Sequence, residues 1–271
     1  MSPTIARRCL AVLATVGAAT LVTFAGNAPA HAATGDGYVA LGDSYSSGVG
    51  AGDYTSSSGS CDQSTNAYTQ LWADMVSPSP FSFEACSGAT TTDVLDNQLG
   101  ALNSSTSLVS ITAGGDDVGF SSVMETCVLD STSSCVSAID NAESEIENVL
   151  PGNLDTLYSA IQADAPNAQV VVLDYPDLYD LSQSSTCVGL STTDRTDLNQ
   201  AADMLDSAIE TQATNYGFTF ADVRPYFVGN EICDSDPWLN SVDWTDISSS
   251  YHPTAQGQED GYLPALEAAI N

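Results

Sequence analysis

Short apolar runs alternate along this chain with longer segments in which apolar residues recur every three or four positions. The short runs predict β-strands, and the longer segments predict amphipathic α-helices. The predicted strands are residues 38–41, 81–85, 107–112, 169–173 and 218–223. The predicted helices are residues 67–76, 92–102, 118–129, 136–149, 154–164, 194–216 and 255–270. This alternation predicts an α/β fold with a parallel sheet covered by helices on both faces.

Two polar motifs directly follow predicted strands. Gly42-Asp43-Ser44 comes after the first strand, and Gly114-Gly115-Asp116-Asp117 comes after the third. In open α/β sheets, ligands bind where the carboxyl ends of the strands lead into loops. We therefore expect both motifs to lie at one edge of the sheet, where Ser44 is a candidate nucleophile.

The first 32 residues predict a secretory signal peptide rather than a part of the fold. Arg7 and Arg8 precede an apolar run over residues 9–25, and cleavage sites follow at Ala28-Pro29-Ala30 and Ala30-His31-Ala32. A membrane anchor is the competing interpretation, but the run is short for a stable span and ends in a cleavage signal. We expect cleavage after Ala32 and a single domain over residues 33–271, a length that suits one hydrophobic core.

The chain is strongly acidic, with a formal net charge of −31. After removal of the signal peptide, Arg195 and Arg224 are the only basic residues beside 35 Asp and Glu. Such a surface repels phosphates, so we expect no binding to nucleic acid or to anionic membranes. No second apolar run is long enough to span a bilayer, so we expect a soluble protein, and a monomer. The acidity fits solubility, loose cation binding, or adaptation to saline or acidic surroundings.

Six cysteines lie after the signal peptide: Cys61, Cys86, Cys127, Cys135, Cys187 and Cys233. An even number in an exported chain predicts three disulfides, for which about 15 pairings are possible. Zinc binding is the alternative, but the chain has no Cys-x-x-Cys pair, and a single histidine follows the signal peptide. We therefore expect disulfides and no metal site.

That single histidine is His252, because His31 is removed with the signal peptide. A serine is a poor nucleophile at neutral pH unless a base takes its proton, and histidine is the usual base. A serine–histidine mechanism in this chain therefore has to pair Ser44 with His252. Each motif also has an ordinary interpretation: Gly-Asp-Ser is a common turn with a helix N-cap, and a lone histidine is more often a packing residue.

Taken together and in this order, the motifs resemble the SGNH (GDSL) hydrolase superfamily, in particular its secreted actinomycete lipases and esterases. The resemblance extends from Val39 to the terminal helix. It is carried by Val39-Ala40-Leu41-Gly42-Asp43-Ser44-Tyr45-Ser46-Ser47-Gly48, Ala85-Cys86-Ser87-Gly88-Ala89-Thr90, Asp236-Pro237-Trp238-Leu239 and Tyr251-His252-Pro253. It implies a three-layer, flavodoxin-like fold with a five-stranded parallel sheet. It also implies a secreted enzyme that hydrolyses carboxylic esters without a cofactor.

The resemblance implies a role for each matching residue. Ser44 is similar to the family's nucleophile, and His252 is similar to its general base. The backbone N–H groups of Ser44 and Gly88 and the side chain of Asp116 resemble the three donors of an oxyanion hole. The streptomycete relatives pair their cysteines in sequence order, which implies Cys61–Cys86, Cys127–Cys135 and Cys187–Cys233.

The chain departs from the family pattern just before the histidine. The family usually has an aspartate three residues earlier, where this chain has Ser249. Some streptomycete relatives orient the histidine through a main-chain carbonyl instead. We therefore expect a Ser–His dyad in which the Ser250 carbonyl orients His252, with Trp244 and Asp246 as weaker candidates for that task.

Asp116 is the second departure, because the family's Gly-x-Asn-Asp motif has an asparagine there that donates an amide hydrogen to the oxyanion. An ionised carboxylate has no proton to donate, and the loss of one such donor costs about 10²–10³ in rate. Crowding by Asp117 and the acidity of the chain favour a protonated Asp116 that still donates.

We expect an enzyme that hydrolyses acyl esters such as glycerides or small aryl and alkyl esters. The substrate partner is thus a small-molecule or lipid ester, and no cofactor is expected. A carbohydrate (acetyl) esterase is the alternative enzyme, since the same superfamily contains such esterases. A non-catalytic binding protein on the same scaffold is the alternative that Asp116 suggests.

Overall fold

The computed structural model describes residues 37–183, 187 and 189–270, and the predicted signal peptide lies outside these residues. Its sheet has five parallel strands in the order β2-β1-β3-β4-β5. They are β1 (Gly37–Gly42), β2 (Phe81–Phe83), β3 (Thr106–Thr112), β4 (Gln169–Leu173) and β5 (Thr219–Ala221). This order is that of flavodoxin-like folds, so the expected fold is confirmed.

Helices cover both faces of the sheet. The helices are α1 (Ser44–Ser47), α2 (Tyr68–Val76), α3 (Thr91–Asn97), α4 (Phe120–Leu129), α5 (Thr132–Asn148), α6 (Leu150–Asp164), α7 (Thr192–Asn215), α8 (Arg224–Phe227) and α9 (Leu263–Ile270). Helix α5 contacts α4, α6 and α7, and α6 also contacts α3. On the other face, α2 contacts α9, which lies against β4 and β5. Connections between parallel strands cross over with a right-handed turn. A connection that runs towards β2 and one that runs towards β5 therefore place their helices on opposite faces of the sheet.

Strands β1 and β4 are mostly apolar because both of their faces are covered. Every residue of β1 is buried, as are the last four residues of β4. Strands buried on both sides read as continuous apolar runs rather than alternating ones. This is why β1 and β4 stand out so clearly in the sequence.

Most element boundaries lie close to those expected from the sequence, but several differ. Helix α5 begins at Thr132 rather than at residue 136, and the segment expected as one helix over residues 255–270 contains the π-helix Gly257–Tyr262 before α9. Helix α6 begins at Leu150 rather than at residue 154, because Pro151 occupies its first turn, where a missing N–H costs no hydrogen bond. The segment expected as one helix over residues 92–102 is α3 followed by the 3₁₀ turn Leu99–Ala101. The short helices α1 and α8 are not predicted by the sequence pattern, since one turn is too short to show helical periodicity.

The strand order reverses at β1, so the carboxyl ends of β1 and β3 border a crevice. Gly42 ends β1 with a φ of 122°, and a side chain at this position would collide with the Thr112 carbonyl. Glycine thus allows the two strand ends to approach, and the backbone N–H of Asp43 donates to the Thr112 carbonyl at 3.1 Å. Both polar motifs consequently lie at this edge.

Three disulfides are present: Cys61–Cys86, Cys127–Cys135 and Cys187–Cys233. They are the pairs that the family resemblance implies. The first joins the segment after α1 to the segment after β2, and the second joins α4 to α5. Among the described residues, none of the helices has both the length and the apolar character needed to cross a membrane.

Candidate active site

Ser44 begins helix α1 directly after β1. Asp43 caps this helix, and its Oδ1 accepts a hydrogen bond from the backbone N–H of Tyr45 at 3.0 Å. The same Oδ1 accepts from Thr112 Oγ1 at 2.6 Å, and Oδ2 accepts from the Tyr175 hydroxyl. Groups from α1, from the end of β3 and from the loop after β4 thus hold the carboxylate and, through it, the turn that carries Ser44.

The buried position of Asp43 has an electrostatic cost. Burial raises the pKa of Asp43 to about 6, although hydrogen bonds from Thr112 and Tyr175 oppose this rise. The backbone N–H of Tyr45 and the hydroxyls of Thr112 and Tyr175 all donate to the carboxylate, which favours its ionised form. Asp43 is therefore best described as an acceptor that positions the site, with its charge retained at neutral pH.

His252 reaches Ser44 from the loop between α8 and α9. Its Nε2 lies 2.7 Å from Ser44 Oγ, and its Nδ1 lies 3.0 Å from the carbonyl oxygen of Ser250. A carbonyl can only accept, so Nδ1 carries the proton and Nε2 is free to accept the proton of the Ser44 hydroxyl. Trp244 and Asp246, the weaker candidates for orienting His252, both have exposed side chains.

Asn240 and Tyr45 hold the loop that carries His252. The backbone N–H and the Nδ2 group of Asn240 donate to the His252 carbonyl at 2.9 and 3.0 Å. The Tyr45 hydroxyl donates to the Tyr251 carbonyl at 2.7 Å. Burial lowers the pKa of His252 to about 4, so its imidazole is neutral above that pH. The histidine is thus fixed in place and in the protonation state of a base.

Gly88 lies in the loop after β2 and lines the same cavity as Ser44 and His252. The backbone N–H of Cys86 donates to the Gly42 carbonyl at 3.0 Å, and the Cys61–Cys86 disulfide ties this loop to the segment after α1. Gly88 has a φ of 76°, a conformation that favours glycine. The structure therefore brings the loop of Gly88 to the same edge of the sheet as Ser44.

Asp116 also lines this cavity, and it is partly buried. Burial in the first place, and then the negative charges of Asp43 and Asp117, raise the pKa of Asp116 to about 7. Asp117 points elsewhere, because its Oδ2 accepts the backbone N–H of Thr91 at 2.8 Å. With a pKa of about 7, the Asp116 carboxyl group is protonated in about half of the molecules at pH 7. Within the described part of the chain, no three His, Cys, Asp or Glu side chains form a group that could hold a metal ion.

An apolar cavity extends from these polar groups between α4, α5 and α7. It encloses about 180 Å³. Its apolar lining consists of Val118, Phe120, Val123, Ile139, Ala142, Ile146, Leu178, Leu198, Ala201, Ala202 and Leu205. An apolar cavity of about 150 Å³ is large enough to bind benzene. The cavity beside Ser44 thus fits a ring or a short alkyl chain.

The sequence pattern does not single out Thr112, Tyr175 or Asn240, although these residues hold Asp43 and His252 in place. Thr112 ends β3, and Tyr175 follows β4. A search for polar groups at the carboxyl ends of strands would have found them, because these ends converge at one edge. Asn240 has no such signal, since its role depends on the course of an irregular loop.

Comparisons with known proteins agree with this geometry. A model of the GDSL-like lipase/acylhydrolase family matches residues 40–259. The chain is 58% identical over 240 residues to Lipase 1 of Streptomyces coelicolor, a match that covers 89% of each chain. The crystal structure of phospholipase A1 from Streptomyces albidoflavus superposes with a TM-score of 0.85 at 54% identity, covering 87% of this chain and 99% of that one. For the extracellular lipase from Streptomyces rimosus, the TM-score is 0.84 at 51% identity, covering 86% of this chain and 99% of that one.

Proposed function

The chain belongs to the GDSL-like lipase/acylhydrolase family and is a carboxylic ester hydrolase, and we propose that Ser44 is its nucleophile and His252 its general base. The 2.7 Å separation of Ser44 Oγ and His252 Nε2 beside an apolar cavity carries this proposal. As Oγ attacks the ester carbonyl, Nε2 takes its proton and then donates it to the leaving alcohol. Water attacks the acyl-enzyme by the same route, which releases the carboxylic acid and regenerates Ser44.

In this mechanism the Ser250 carbonyl replaces the carboxylate of a catalytic triad. It accepts the Nδ1 proton of His252 at 3.0 Å, which selects the tautomer that leaves Nε2 free. A carbonyl dipole stabilises the imidazolium less than a full negative charge does. The low pKa of His252, about 4, agrees with a buried base that has no carboxylate partner.

We assign the oxyanion hole to the backbone N–H groups of Ser44 and Gly88 and to the side chain of Asp116. Asp116 contributes a donor only while it is protonated, because a carboxylate has no hydrogen to offer. Its pKa of about 7 keeps this donor present in mildly acidic solution and removes it in alkaline solution. The oxyanion hole of this esterase therefore loses one of its donors as the pH rises through about 7.

The substrates that fit are acyl esters such as glycerides and small aryl or alkyl esters. The acyl group enters the apolar cavity, whose 180 Å³ suits short to medium chains. We also propose that residues 1–32 are a signal peptide and that the domain 33–271 acts outside the cell as a monomer. The likeness to a protein named as an extracellular lipase supports this location.

The test is hydrolysis of p-nitrophenyl esters, from acetate to octanoate, by the purified protein and by Ser44→Ala. We expect release of p-nitrophenol by the wild type and none above background by the variant. A graded series of acyl chains also reports on the length of the cavity. A wild type that is inactive on every ester at every pH would refute the proposed function.

A carbonyl-oriented histidine predicts that Asp246 contributes little to the rate. Asp246→Asn should change kcat/KM by less than about threefold, because the side chain is exposed and screened by water. Loss of the carboxylate of a true triad lowers kcat by about 10⁴. Steady-state kinetics on p-nitrophenyl butyrate separate the two cases, with exposed Asp236→Asn as the control for loss of one charge. A fall of a thousandfold or more would identify Asp246 as the orienting group.

The Cys61–Cys86 disulfide should contribute both stability and activity. Its cysteines are 25 positions apart, so replacing both with serine should lower the free energy of unfolding by about 3 kcal/mol. Urea unfolding measures this loss. We also expect kcat to fall in the folded variant, because the loop of Gly88 loses its tie to the segment after α1.

Replacing Cys127 and Cys135 with serine provides the matched control. This disulfide spans only 8 positions, so its loss should cost about 1 kcal/mol less than the loss of Cys61–Cys86. An unchanged kcat in the folded Cys61→Ser/Cys86→Ser variant would contradict the positioning role of that disulfide.

A further inference from the structure

A second apolar space adjoins His252, on the surface between α4 and the loop after α8. We call it the Trp244 groove. Its apolar lining includes Phe120, Met124, Val128, Val242, Trp244 and Ile247, and it encloses about 340 Å³. Trp244 and Ile247 are 69% and 63% exposed and lie together in this lining, and adjacent exposed apolar side chains are typical of binding sites. Neither residue contributes to the dyad or to the oxyanion hole.

The groove adjoins the catalytic cavity. Four residues line both spaces, and they are Phe120, Ser121, Ser248 and His252. They differ in the polar groups that they contain. Ser44, Gly88 and Asp116 line only the cavity between the helices, whereas Ser250 lines only the Trp244 groove.

This division corresponds to the two halves of an ester. The carbonyl oxygen of the acyl half has to face the donors of the oxyanion hole, which places the acyl chain in the cavity beside Gly88 and Asp116. The leaving oxygen has to face the nitrogen that protonates it, which is Nε2 of His252. The alcohol half therefore departs from the His252 side, where the Trp244 groove begins.

The charges near the groove disfavour an anionic alcohol. Its titratable lining groups are Glu125, Tyr251 and His252, and Glu125 is exposed. Within the described residues the cations are Arg195, which is buried, and Arg224, whose guanidinium contacts Asp203 and Asp222. A phosphate attached to the alcohol would thus meet a carboxylate and no arginine at the groove.

We propose that the Trp244 groove binds an uncharged apolar substituent of the leaving alcohol, such as the second acyl chain of a neutral glycerolipid. Trp244 and Ile247 then determine specificity, and neutral acylglycerols are favoured over anionic phospholipids. This inference rests on the proposed function, because it needs Ser44 and His252 to act as stated. It extends that function from the acyl half of the substrate to the alcohol half.

The experiment compares methyl butyrate with hexyl butyrate, which share an acyl group and differ only in the alcohol. We expect Trp244→Ser/Ile247→Ser to lower the ratio of kcat/KM for hexyl butyrate to that for methyl butyrate about tenfold. The matched control is Val228→Ser, since Val228 is 73% exposed and lines neither space. All esters are kept below the concentration at which they aggregate, so binding to a lipid surface does not contribute. An unchanged ratio would overturn the assignment of the groove.

A second comparison tests the charge. We expect the wild type to hydrolyse monomeric 1,2-dihexanoylglycerol at least about tenfold faster than its 3-phosphate, which has the same acyl chains. Equal rates would overturn the selection for neutral alcohols. Methyl butyrate keeps this result separate from the proposed function: if Ser44→Ala abolishes its hydrolysis, the dyad stands even when the groove does not.

Discussion

Replacing Ser44 with alanine should lower kcat for p-nitrophenyl butyrate by about 10⁶, the loss found when a serine hydrolase is deprived of its nucleophile. The change removes only Oγ, which lies 2.7 Å from His252 Nε2. No acyl-enzyme forms without Oγ, and the remaining rate comes from substrate binding and the oxyanion hole. The measurement is the steady-state rate at pH 6, together with the burst of p-nitrophenol from a single turnover.

His252→Ala and the double variant test whether the two residues act as one unit. We expect each to be about as slow as Ser44→Ala, because a nucleophile without its base and a base without its nucleophile are equally ineffective. Ser47→Ala is the matched control, since this serine is also buried in α1. Its hydroxyl donates to the Ser44 carbonyl at 3.3 Å, whereas the Ser44 hydroxyl faces His252. Equal rates in the wild type and Ser44→Ala would refute the dyad and favour a binding protein on a hydrolase scaffold.

Asp116→Asn should change the pH profile of kcat/KM more than any other single substitution in the oxyanion hole. In the wild type, activity should rise as the pH passes about 4, where His252 loses its proton, and fall as the pH passes about 7, where Asp116 loses its own. An asparagine amide donates at every pH, so the variant should keep its activity in alkaline solution. At pH 9, about 1% of Asp116 remains protonated, and the variant should exceed the wild type about 100-fold.

The control for this substitution is Asp164→Asn. Asp164 is exposed at the end of α6, which leads to the amino end of β4 and thus away from the candidate site. It should keep the alkaline fall of the wild type. If Asp116→Asn also keeps that fall, the titrating group is another one, such as Asp43, and Asp116 is not the donor. An inactive wild type that becomes active through Asp116→Asn would show that the aspartate has disabled the site.

Several features could be predicted from local sequence because their causes are local. Strand β4 has the predicted bounds, since a run of buried apolar residues between two helices has few alternative structures. Asp43 is a helix N-cap, as the short Gly-Asp-Ser turn suggests. Helix α6 begins earlier than predicted because apolar periodicity does not mark its first turn, where Pro151 lies.

The pairing of Ser44 with His252 could be predicted from the sequence for a different reason. Only one histidine follows the predicted signal peptide, so the choice of base required no knowledge of distance. The Ser250 carbonyl was expected from the family resemblance and from the absence of an aspartate at residue 249. Asn240 and Tyr175, in contrast, act through contacts that no sequence pattern marks.

The sequence by itself thus determined the fold class, the family, the two residues proposed as the dyad and the presence of an acid where an amide is usual. These depend on the order and type of neighbouring residues. Only the tertiary structure decided the pKa of Asp116, because its burial and the nearby charge of Asp43 depend on residues that are remote in sequence. It also decided that α4 and the loop of Trp244 form a second apolar space beside His252. Electrostatic shifts and cavities depend on distances through space, which residue order does not contain.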